Sequence, residues 1–464
     1  MWYEYLFSLI TLYLVVAWAA GIHVLLYKRN SRAAFGWLGL IIVFPIAGAL
    51  LYALFGVNRV QRKARRIAPG LEVSDRPQFL KKSTGGAELS RPGYNVTRNE
   101  LAGGNHVTTY YNGEEAYPAM LEAIEAARRE VLLSTYIFDN DNTGRQFIDR
   151  LAAARDRGCR VCVLVDDVGI RYSLPTILRE LKQHDLSFRR FMPLRILPPS
   201  FSINLRTHRK LLIADRDVSF AGGMNIGDRQ LLNGPSLHRA SDLHFRFHGP
   251  LTGDLVELFS DDWKFSKGEA PQRWEAQPEN AGSARCRLVS DGPDETLDSL
   301  MLVIMGAISS ARRRVWIMTP YFLPERQMMG CLQAAALSGV DVQVMIPEKN
   351  NWPLVQWALQ HNMMELLHAG LKIFQRPPPF AHSKCIVIDD DYALVGSSNL
   401  DSRSLRLNFE LGIEVFDPEL NRELSTHFER VVQGCSQFTI ERIRSRKTLA
   451  RLRDGASALF SPYL

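Results

Sequence analysis

This 464-residue chain contains the same short polar tract twice, and that duplication limits the folds it can adopt. The first copy is formed by His208, Lys210, Asp215, Gly222 and Asn225, and the second by His382, Lys384, Asp389, Gly396 and Asn399. Both copies read H-x-K-x4-D-x6-G-x2-N. A single His-x-Lys-x4-Asp pattern occurs by chance in roughly a few per cent of chains of this size, whereas two copies with equal gaps indicate a duplicated half-site.

The segments before each tract follow the same order of elements. In the first half, MLEAIEAARREV and FIDRLAAARDRG have helical apolar spacing, and VLLSTYIF and CRVCVLVDD are typical of buried strands. The second half repeats this order in MLVIMGAISSARRRV, VWIMTPYFL, MGCLQAAALSG and VDVQVMIPE. Strands that alternate with helices of these lengths predict parallel sheets covered by helices. The predicted fold class is α/β, with two halves that each form a mixed, mostly parallel sheet flanked by helices.

Two apolar segments precede these halves. Residues 5–27 and 33–57 contain no Asp, Glu, Lys or Arg, and each is long enough to cross a hydrocarbon core of about 30 Å. They are predicted to be two transmembrane helices. A cleaved signal peptide is the alternative for the first, but the chain begins Met-Trp-Tyr-Glu rather than with a basic region. Pro45 could kink the second helix or make it re-entrant.

The positive charge of the chain is concentrated beside these apolar segments. Residues 1–66 contain the whole net charge of +7, so the rest of the chain is neutral overall. The larger basic cluster follows the second segment, which predicts that the amino terminus and the bulk of the protein are cytoplasmic. Basic residues next to membrane spans bind anionic lipid. The charge therefore gives little support to a nuclease or to nucleic-acid binding.

Composition and periodicity divide the chain into six regions. These are a membrane anchor with two transmembrane helices (1–66), a linker (67–109), a first half (110–265), a second linker (266–285), a second half (286–435) and a basic C-terminal tail (436–464). The tail could lie on anionic lipid or form a solvated helix.

The two tracts carry the side chains that phosphodiester chemistry requires. In an extended strand, His208 and Lys210 share one face, as do His382 and Lys384. An imidazole can attack a phosphodiester and split a slow transfer into two easier steps. The lysines, together with the amides of Asn225 and Asn399, can neutralise the phosphate oxygens. No metal or other cofactor is predicted, because the adjacent ammonium groups would repel a cation.

Two acidic residues occupy equivalent positions after the tracts. Aligning the halves places Asp242, in SDLHFRF, opposite Glu410, in FELGIEV. A nucleophilic imidazole needs an acceptor on its second nitrogen to fix its tautomer, so each carboxylate is predicted to orient a histidine. The alternative is a solvated carboxylate at a strand end. Asp215 and Asp389 are predicted to hold the tracts by pairing with neighbouring cations rather than to touch the substrate.

The repeated tract resembles the signature of the phospholipase D superfamily. Within it, the chain is similar to bacterial cardiolipin synthases over nearly its full length, notably in THRKLLIADRDVSFAGGMNIGD, TPYFLPE and HSKCIVIDDDYALVGSSNLDSRSLRLNFELGIEVFD. One departure is Gly222-Gly223, where the superfamily often has Gly-Ser, as in Gly396-Ser397. That departure leaves one hydroxyl contact without a counterpart.

The resemblance implies two halves packed about a pseudo-twofold axis, with both tracts facing one phosphate. It implies transfer of a phosphatidyl group between two phosphatidylglycerol molecules, releasing glycerol, with His208 as nucleophile and His382 as acid and base. The implied location is the bacterial inner membrane, with anionic lipids as partners. The alternatives are a phospholipase D that releases phosphatidic acid, a transferase that uses phosphatidylethanolamine, and a catalytically silent membrane scaffold.

Overall fold

A computed structural model describes residues 2–28, 31–56, 88–193, 205–269, 280–292 and 298–461. The chain divides into two compact units, Met1–Glu72 and Val73–Leu464. Residues 67–87 of the first predicted linker and 270–279 of the second lie outside the described residues.

The N-terminal unit consists of helices Trp2–Tyr27, Ser31–Val43 and Pro45–Leu51, followed by a π-helical turn at Tyr52–Gly56. The predicted second span is broken at Phe44, where ψ is 72°, because the ring of the following Pro45 disfavours a helical conformation in the residue before it. Across the described ranges of the chain, no helix is both long enough and apolar enough to cross a membrane.

The C-terminal unit is built on 19 strands within its described residues. They are β1 (Ala102–Tyr111), β2 (Glu130–Thr135), β3 (Arg160–Asp166), β4 (Phe188–Phe191), β5 (Leu211–Ala214), β6 (Val218–Gly222), β7 (Ala240–Ser241), β8 (Leu243–His248), β9 (Ala284–Asp291), β10 (Arg314–Met318), β11 (Phe322–Leu323), β12 (Asp341–Pro347), β13 (Lys372–Arg376), β14 (Phe380–Ala381), β15 (Cys385–Ile388), β16 (Tyr392–Gly396), β17 (Leu400–Asp401), β18 (Glu410–Phe416) and β19 (Ser436–Gln437).

The α-helices of this unit alternate with the strands. They are Ser90–Thr97, Asn112–Ala126, Asn142–Asp156, Leu178–Gln183, Leu251–Phe265, Ser299–Ser310, Arg326–Leu337, Pro353–His368, Ser402–Arg406, Pro418–Val432, Ile440–Arg444 and Thr448–Ala458. Each half has its own hydrophobic core of buried aliphatic and aromatic side chains.

Fifteen of the strands form one continuous sheet, and its order repeats from the centre outward. One half runs β1-β8-β6-β5-β2-β3-β4, and the other runs β9-β18-β16-β15-β10-β12-β13, with β19 added at its edge. The antiparallel pair of β1 and β9 joins the two halves. This matching order is the arrangement expected of a duplicated chain with pseudo-twofold symmetry.

The sheet is mixed, but the prediction that it is mostly parallel was wrong. The parallel pairs are β2 with β3, β3 with β4, β10 with β12, and β12 with β13, whereas the other neighbours in the large sheet are antiparallel. Within each tract the chain turns back directly after β5 or β15, through Asp215 (φ 52°) and Asp389 (φ 48°). A turn this tight can join only antiparallel strands, and the helix–strand alternation of the sequence does not reveal it.

Both predicted linkers were drawn too long. Residues 102–109 belong to β1, and residues 284–285 begin β9, so both segments are part of the central pairing. The predicted tail also contributes to the fold, because β19 pairs with β13 and helix Thr448–Ala458 packs against helix Pro353–His368. These segments are rich in glycine and polar residues, a composition that is typical of linkers and that led to the wrong boundaries.

Candidate active site

Each histidine of the tracts is hydrogen-bonded through its backbone to the opposite half. The amide of His208 donates to the carbonyl oxygen of Phe409 at 2.9 Å, and the amide of His382 donates to that of Ser241 at 2.8 Å. Strand β14 also pairs with β7, and a bridge joins Thr207 to Phe409 in the corresponding place. Each acceptor is the residue just before an acidic residue. The backbone therefore brings each imidazole to a carboxylate of the other half.

The imidazoles contact those carboxylates through Nδ1. His208 Nδ1 lies 3.1 and 3.2 Å from the two carboxylate oxygens of Glu410 and 3.1 Å from the carbonyl oxygen of Ser397. His382 Nδ1 lies 2.6 Å from Asp242 Oδ2. Both carboxylate side chains are fully buried. An acceptor at Nδ1 keeps the proton there and leaves Nε2 with its lone pair.

These contacts bear on the alternative in which the acidic residues are solvated strand ends. Asp242 and Glu410 are buried and each lies against a histidine, so their positions match the predicted orienting role. The sequence did not predict that each carboxylate contacts the histidine of the other half. An alignment of two repeats shows which residues are equivalent, but not which residues contact each other. The role itself stays a prediction.

Burial and the neighbouring lysines keep both imidazoles neutral. Burial, followed by the charges of Lys210 and Lys384, lowers the pKa of His208 well below its usual value. Burial and then Lys384 lower the pKa of His382 to about 4, and Lys210 acts in the same direction. The lysine of each half therefore acts on the histidine of the other, which is the electrostatic sign of a shared site.

The lysines themselves are destabilised as cations by burial. Burial lowers the pKa of Lys210 to about 7 and that of Lys384 to about 8, although the nearby carboxylates oppose the shift. Each ammonium group donates to the carbonyl oxygen of the histidine two residues before it. A negatively charged group placed between the two lysines would stabilise their ammonium forms, so the site favours an anionic ligand.

The two carboxylates differ in protonation. Burial raises the pKa of Glu410 to about 7, against the opposing charge of Lys210. Burial would also raise the pKa of Asp242, but Lys384 and His382 outweigh it, and the pKa of Asp242 lies below its usual value. Asp242 is therefore the firmly ionised member of the pair.

In both tracts, the histidine and lysine lie in an extended segment just before a strand, rather than within it as predicted. Residues 208–210 precede β5, and residues 382–384 precede β15. Arg209 turns away from the lysines, which agrees with the alternation of side chains in an extended segment. Its guanidinium donates to Asp262 Oδ1 at 2.6 Å and to the carbonyl oxygen of Glu410 at 3.0 Å. Arg209 thus supports Glu410 from behind.

Among the described residues, the carboxylates of Asp215 and Asp389 contact main-chain amides, in place of the cationic side chains that were predicted. The carboxylate of Asp215 accepts three main-chain amides, from residues 128–130, and that of Asp389 accepts the amides of residues 312–314. The turn at each of these residues presents its carboxylate to the backbone. Both residues lie at the far end of β5 or β15 from the histidine.

The predicted phosphate-binding amides are both buried, at 4% exposure. Asn225 Oδ1 accepts the backbone amide of Ile137 at 3.0 Å, which leaves the NH2 group of Asn225 as its donor. Asn399 Nδ2 donates to Ser404 Oγ at 3.0 Å. These contacts fix the orientation of both amides, and binding of phosphate stays a prediction.

Aromatic rings next to the histidines were missed in the sequence. The ring of Tyr136 lies 5.2 Å from that of His208, and Lys210 Nζ lies 5.6 Å from the Tyr136 ring. The ring of Phe380 lies 5.9 Å from that of His382. Tyr136 directly follows β2, and a side chain at the carboxyl end of a parallel strand is a signal that could have identified it.

The Gly-Gly departure in the first tract has a steric cause. A Cβ atom at Gly223 would lie 2.5 Å from Asp242 Oδ1, so the close approach of that carboxylate requires glycine. At the equivalent position, the hydroxyl of Ser397 donates to the carboxylate of Glu410. In the first half, the carboxylate of Asp242 therefore lies close to the backbone at Gly223, where the second half has the hydroxyl of Ser397.

Comparison with known proteins gives one consistent family. The model for "Cardiolipin synthase, PLD-like domain" matches residues 120–244 and 304–432, and the model for "Phospholipase_D-nuclease N-terminal" matches residues 15–56. Cardiolipin synthase A of Pseudomonas aeruginosa is 31% identical over 97% of this chain and 94% of its own length. Cardiolipin synthase 2 of Staphylococcus epidermidis is 29% identical over 96% and 95%.

Among solved structures, phosphatidylserine synthase of Haemophilus influenzae has the same fold. It superimposes with a TM-score of 0.64 and 15% identity, and the match covers 81% of this chain and all of the other.

Proposed function

The chain belongs to the PLD-like cardiolipin synthases, and we propose that it transfers a phosphatidyl group from one phosphatidylglycerol to the free glycerol hydroxyl of another. Glycerol is the second product. The observation that carries this proposal is the pair of neutral imidazoles, each held at Nδ1 by a buried carboxylate of the opposite half and flanked by two buried lysines. Curated relatives over almost the full chain are cardiolipin synthases.

In the first step, His208 Nε2 attacks the phosphorus atom and forms a phosphohistidine. The bond from phosphorus to the departing glycerol oxygen breaks, and His382 gives that oxygen a proton. The low pKa of His208 supports its role, because only the neutral imidazole has a lone pair at Nε2. Lys210 and Lys384, with the amides of the tract, stabilise the charge on the phosphate oxygens.

To act as an acid, the imidazole of His382 must take up a second proton when the substrate binds. The pKa of His382 is about 4, so its imidazole carries no second proton near neutral pH. An anionic phosphodiester between the two lysines offsets their charge, and the pKa of His382 rises toward the value that an acid catalyst needs. Substrate binding and protonation of His382 are therefore coupled in this proposal.

In the second step, His382 takes the proton of the acceptor hydroxyl, which attacks the phosphohistidine and restores His208. Water competes with the lipid at this stage. A hydrolase that releases phosphatidic acid would use the same residues, but the curated relatives do not favour that alternative. Phosphatidylethanolamine as the second lipid is a variant of the same step.

The proposal includes attachment to the bacterial inner membrane through two N-terminal spans. The absence of charged residues from 5–27 and 33–57 supports it, as does the match of the N-terminal family model to residues 15–56. The basic residues that follow would bind anionic lipid on the cytoplasmic side.

The test uses the purified full-length protein with phosphatidylglycerol in mixed micelles. Cardiolipin and glycerol should form in equal amounts. Phosphatidic acid as the only lipid product would contradict transfer. An inactive wild-type protein, with unchanged lipid binding in the His208→Ala and His382→Ala variants, would favour the scaffold alternative.

A further inference from the structure

Two equivalent loops of the C-terminal unit carry large apolar side chains into solvent. The first loop follows β3, and there Tyr172 is 48% and Leu174 is 84% exposed. The second follows β12, the counterpart of β3 in the second half. There Trp352 is 54% exposed, and Leu354, in the first turn of the helix Pro353–His368 that ends the loop, is 44% exposed. Exposed apolar groups that cluster in this way mark surfaces that bind something apolar. We call these four side chains the apolar collar.

The first loop leads directly to one histidine. The ring of Tyr172 lies 6.3 Å from that of Tyr136, which in turn lies 5.2 Å from the ring of His208. The loop is held in place because Ser173 Oγ accepts the backbone amide of Asn140 at 2.9 Å. The exposed side chains are therefore presented by a fixed loop at the approach to His208.

The second loop leads to the other histidine through a similar series of contacts. The hydroxyl of Tyr321 donates to Asn351 Oδ1 at 2.8 Å, and the Tyr321 ring lies 6.2 Å from that of Phe380. Phe380 lies 5.9 Å from His382. The side chain of Asn350 anchors this loop to the carbonyl oxygen of Pro320 at 3.0 Å.

The two loops flank the same approach. Each loop leads to one histidine, and the two histidines share one site, because His208 contacts Glu410 of the second half and His382 contacts Asp242 of the first. The collar thus surrounds a buried, cationic site with apolar side chains. A ligand that matches it has an anionic phosphate next to hydrocarbon.

We propose that the apolar collar inserts into the surface of a phospholipid bilayer and thereby delivers the head group of a membrane lipid to the two histidines. This inference rests on the proposed function, because it assumes a lipid phosphodiester as substrate. Tyrosine and tryptophan favour the head-group region, and leucine favours the hydrocarbon below it. The exposed Lys349 beside the collar suits an anionic surface.

The test separates bilayer contact from chemistry by using two substrates with the full-length protein. One is long-chain phosphatidylglycerol in vesicles, and the other is short-chain phosphatidylglycerol kept monomeric in solution. In the double variant Leu174→Ser with Leu354→Ser, kcat/KM on vesicles should fall about tenfold, because two leucines no longer enter hydrocarbon. On the monomeric substrate it should change less than about twofold.

The matched control is Leu302→Ser with Leu337→Ser, which removes two leucines of 44% and 75% exposure from helices outside the loops. Both substrates should be turned over as in the wild type. An equal loss on both substrates in the collar variant would indicate local damage and overturn the proposal. An unchanged kcat/KM on vesicles would overturn the proposal as well, whether or not the oligomeric state changes, because the collar would then bind something other than a bilayer.

A second measurement follows the collar physically. Vesicles whose acyl chains carry bromine should quench less tryptophan fluorescence in Trp352→Phe than in the wild type, and equal quenching would contradict insertion. Product analysis in the same samples keeps the two proposals distinct. Phosphatidic acid in place of cardiolipin would end the proposed transferase, while the ratio of vesicle to monomer rates would still decide the collar.

Discussion

In both halves of the site a histidine lies against a buried carboxylate of the opposite half, but the two carboxylates come from different residue types. His208 lies against Glu410, whose carboxylate also accepts the hydroxyl of Ser397. His382 lies against the shorter Asp242 at 2.6 Å. The two imidazoles are thus placed alike by the duplicated tract, whereas the carboxylates beside them differ in length and in hydrogen bonding.

The difference bears on which histidine attacks. Asp242 is ionised and close, so it stabilises the imidazolium form that an acid and base must pass through. The pKa of Glu410 is raised to about 7 by burial, and His208 receives weaker support as a cation. This asymmetry supports His382 as acid and base and His208 as nucleophile, an order that the near-symmetric tracts do not supply.

The largest effect should come from removing one histidine at a time. His208→Ala should abolish the covalent intermediate and reduce turnover by about 10^3-fold or more. His382→Ala should reduce turnover as strongly, but with a lipid that has a good leaving group it should still form the intermediate, because no proton is then needed. Mass spectrometry of acid-free quenched samples locates the phosphorylated residue. A phosphohistidine at position 382 would reverse the order.

The next effect compares the two carboxylates. Asp242→Asn should lower kcat about 10^2-fold or more, since an amide cannot stabilise the imidazolium of His382. Glu410→Gln should lower it less, because the pKa of Glu410 is raised to about 7 and its carboxylate is the less firmly ionised of the two. Steady-state rates on phosphatidylglycerol, with thermal unfolding as the control for folding, check the ranking. Equal losses would show that the asymmetry has no catalytic meaning.

Such ranking depends on geometry that the sequence supplies only in part. The repeat identified both tracts, and alignment of the halves identified Asp242 and Glu410, because each motif is local and evenly spaced. The exchange of carboxylates between halves depends on β14 pairing with β7, which links residues far apart in the chain. Local patterns carry no information about such pairing.

The fold shows the same limit. Helices and strands before each tract were predictable from apolar spacing, whereas the antiparallel return after Asp215 and Asp389 depends on positive φ angles in a two-strand turn. Most of strand β1 falls in the predicted linker, because Gly103 and Gly104 give this segment a composition that is typical of connecting loops. Its partners β8 and β9 lie far along the chain, so tertiary pairing decided the outcome.

The lysines offer a pH test of the comparison. Both pKa values are lowered, so each ammonium group loses its proton as the pH rises, Lys210 at about 7 and Lys384 at about 8. Because kcat/KM reports the free enzyme, loss of these protons should lower it about tenfold per pH unit between 7 and 8 and about a hundredfold per unit above 8. Lys210→Arg, which keeps its charge, should move the first part of that decline to higher pH. An unchanged profile would remove Lys210 from substrate binding.

The smallest expected effects test the glycine and serine that accompany the carboxylates. Gly223→Ser should lower kcat about fivefold, because its Cβ would press on Asp242 Oδ1 and move the carboxylate away from His382. Ser397→Gly removes one hydrogen bond to Glu410 and should cost about twofold to fivefold. The double variant Gly223→Ser with Asp242→Glu places a serine beside a glutamate, as in the other half. If it restores the rate lost in Gly223→Ser, the length of the carboxylate side chain and the size of the small residue depend on each other. Failure of that rescue, with both variants folded, would show that each carboxylate is fixed by its wider surroundings.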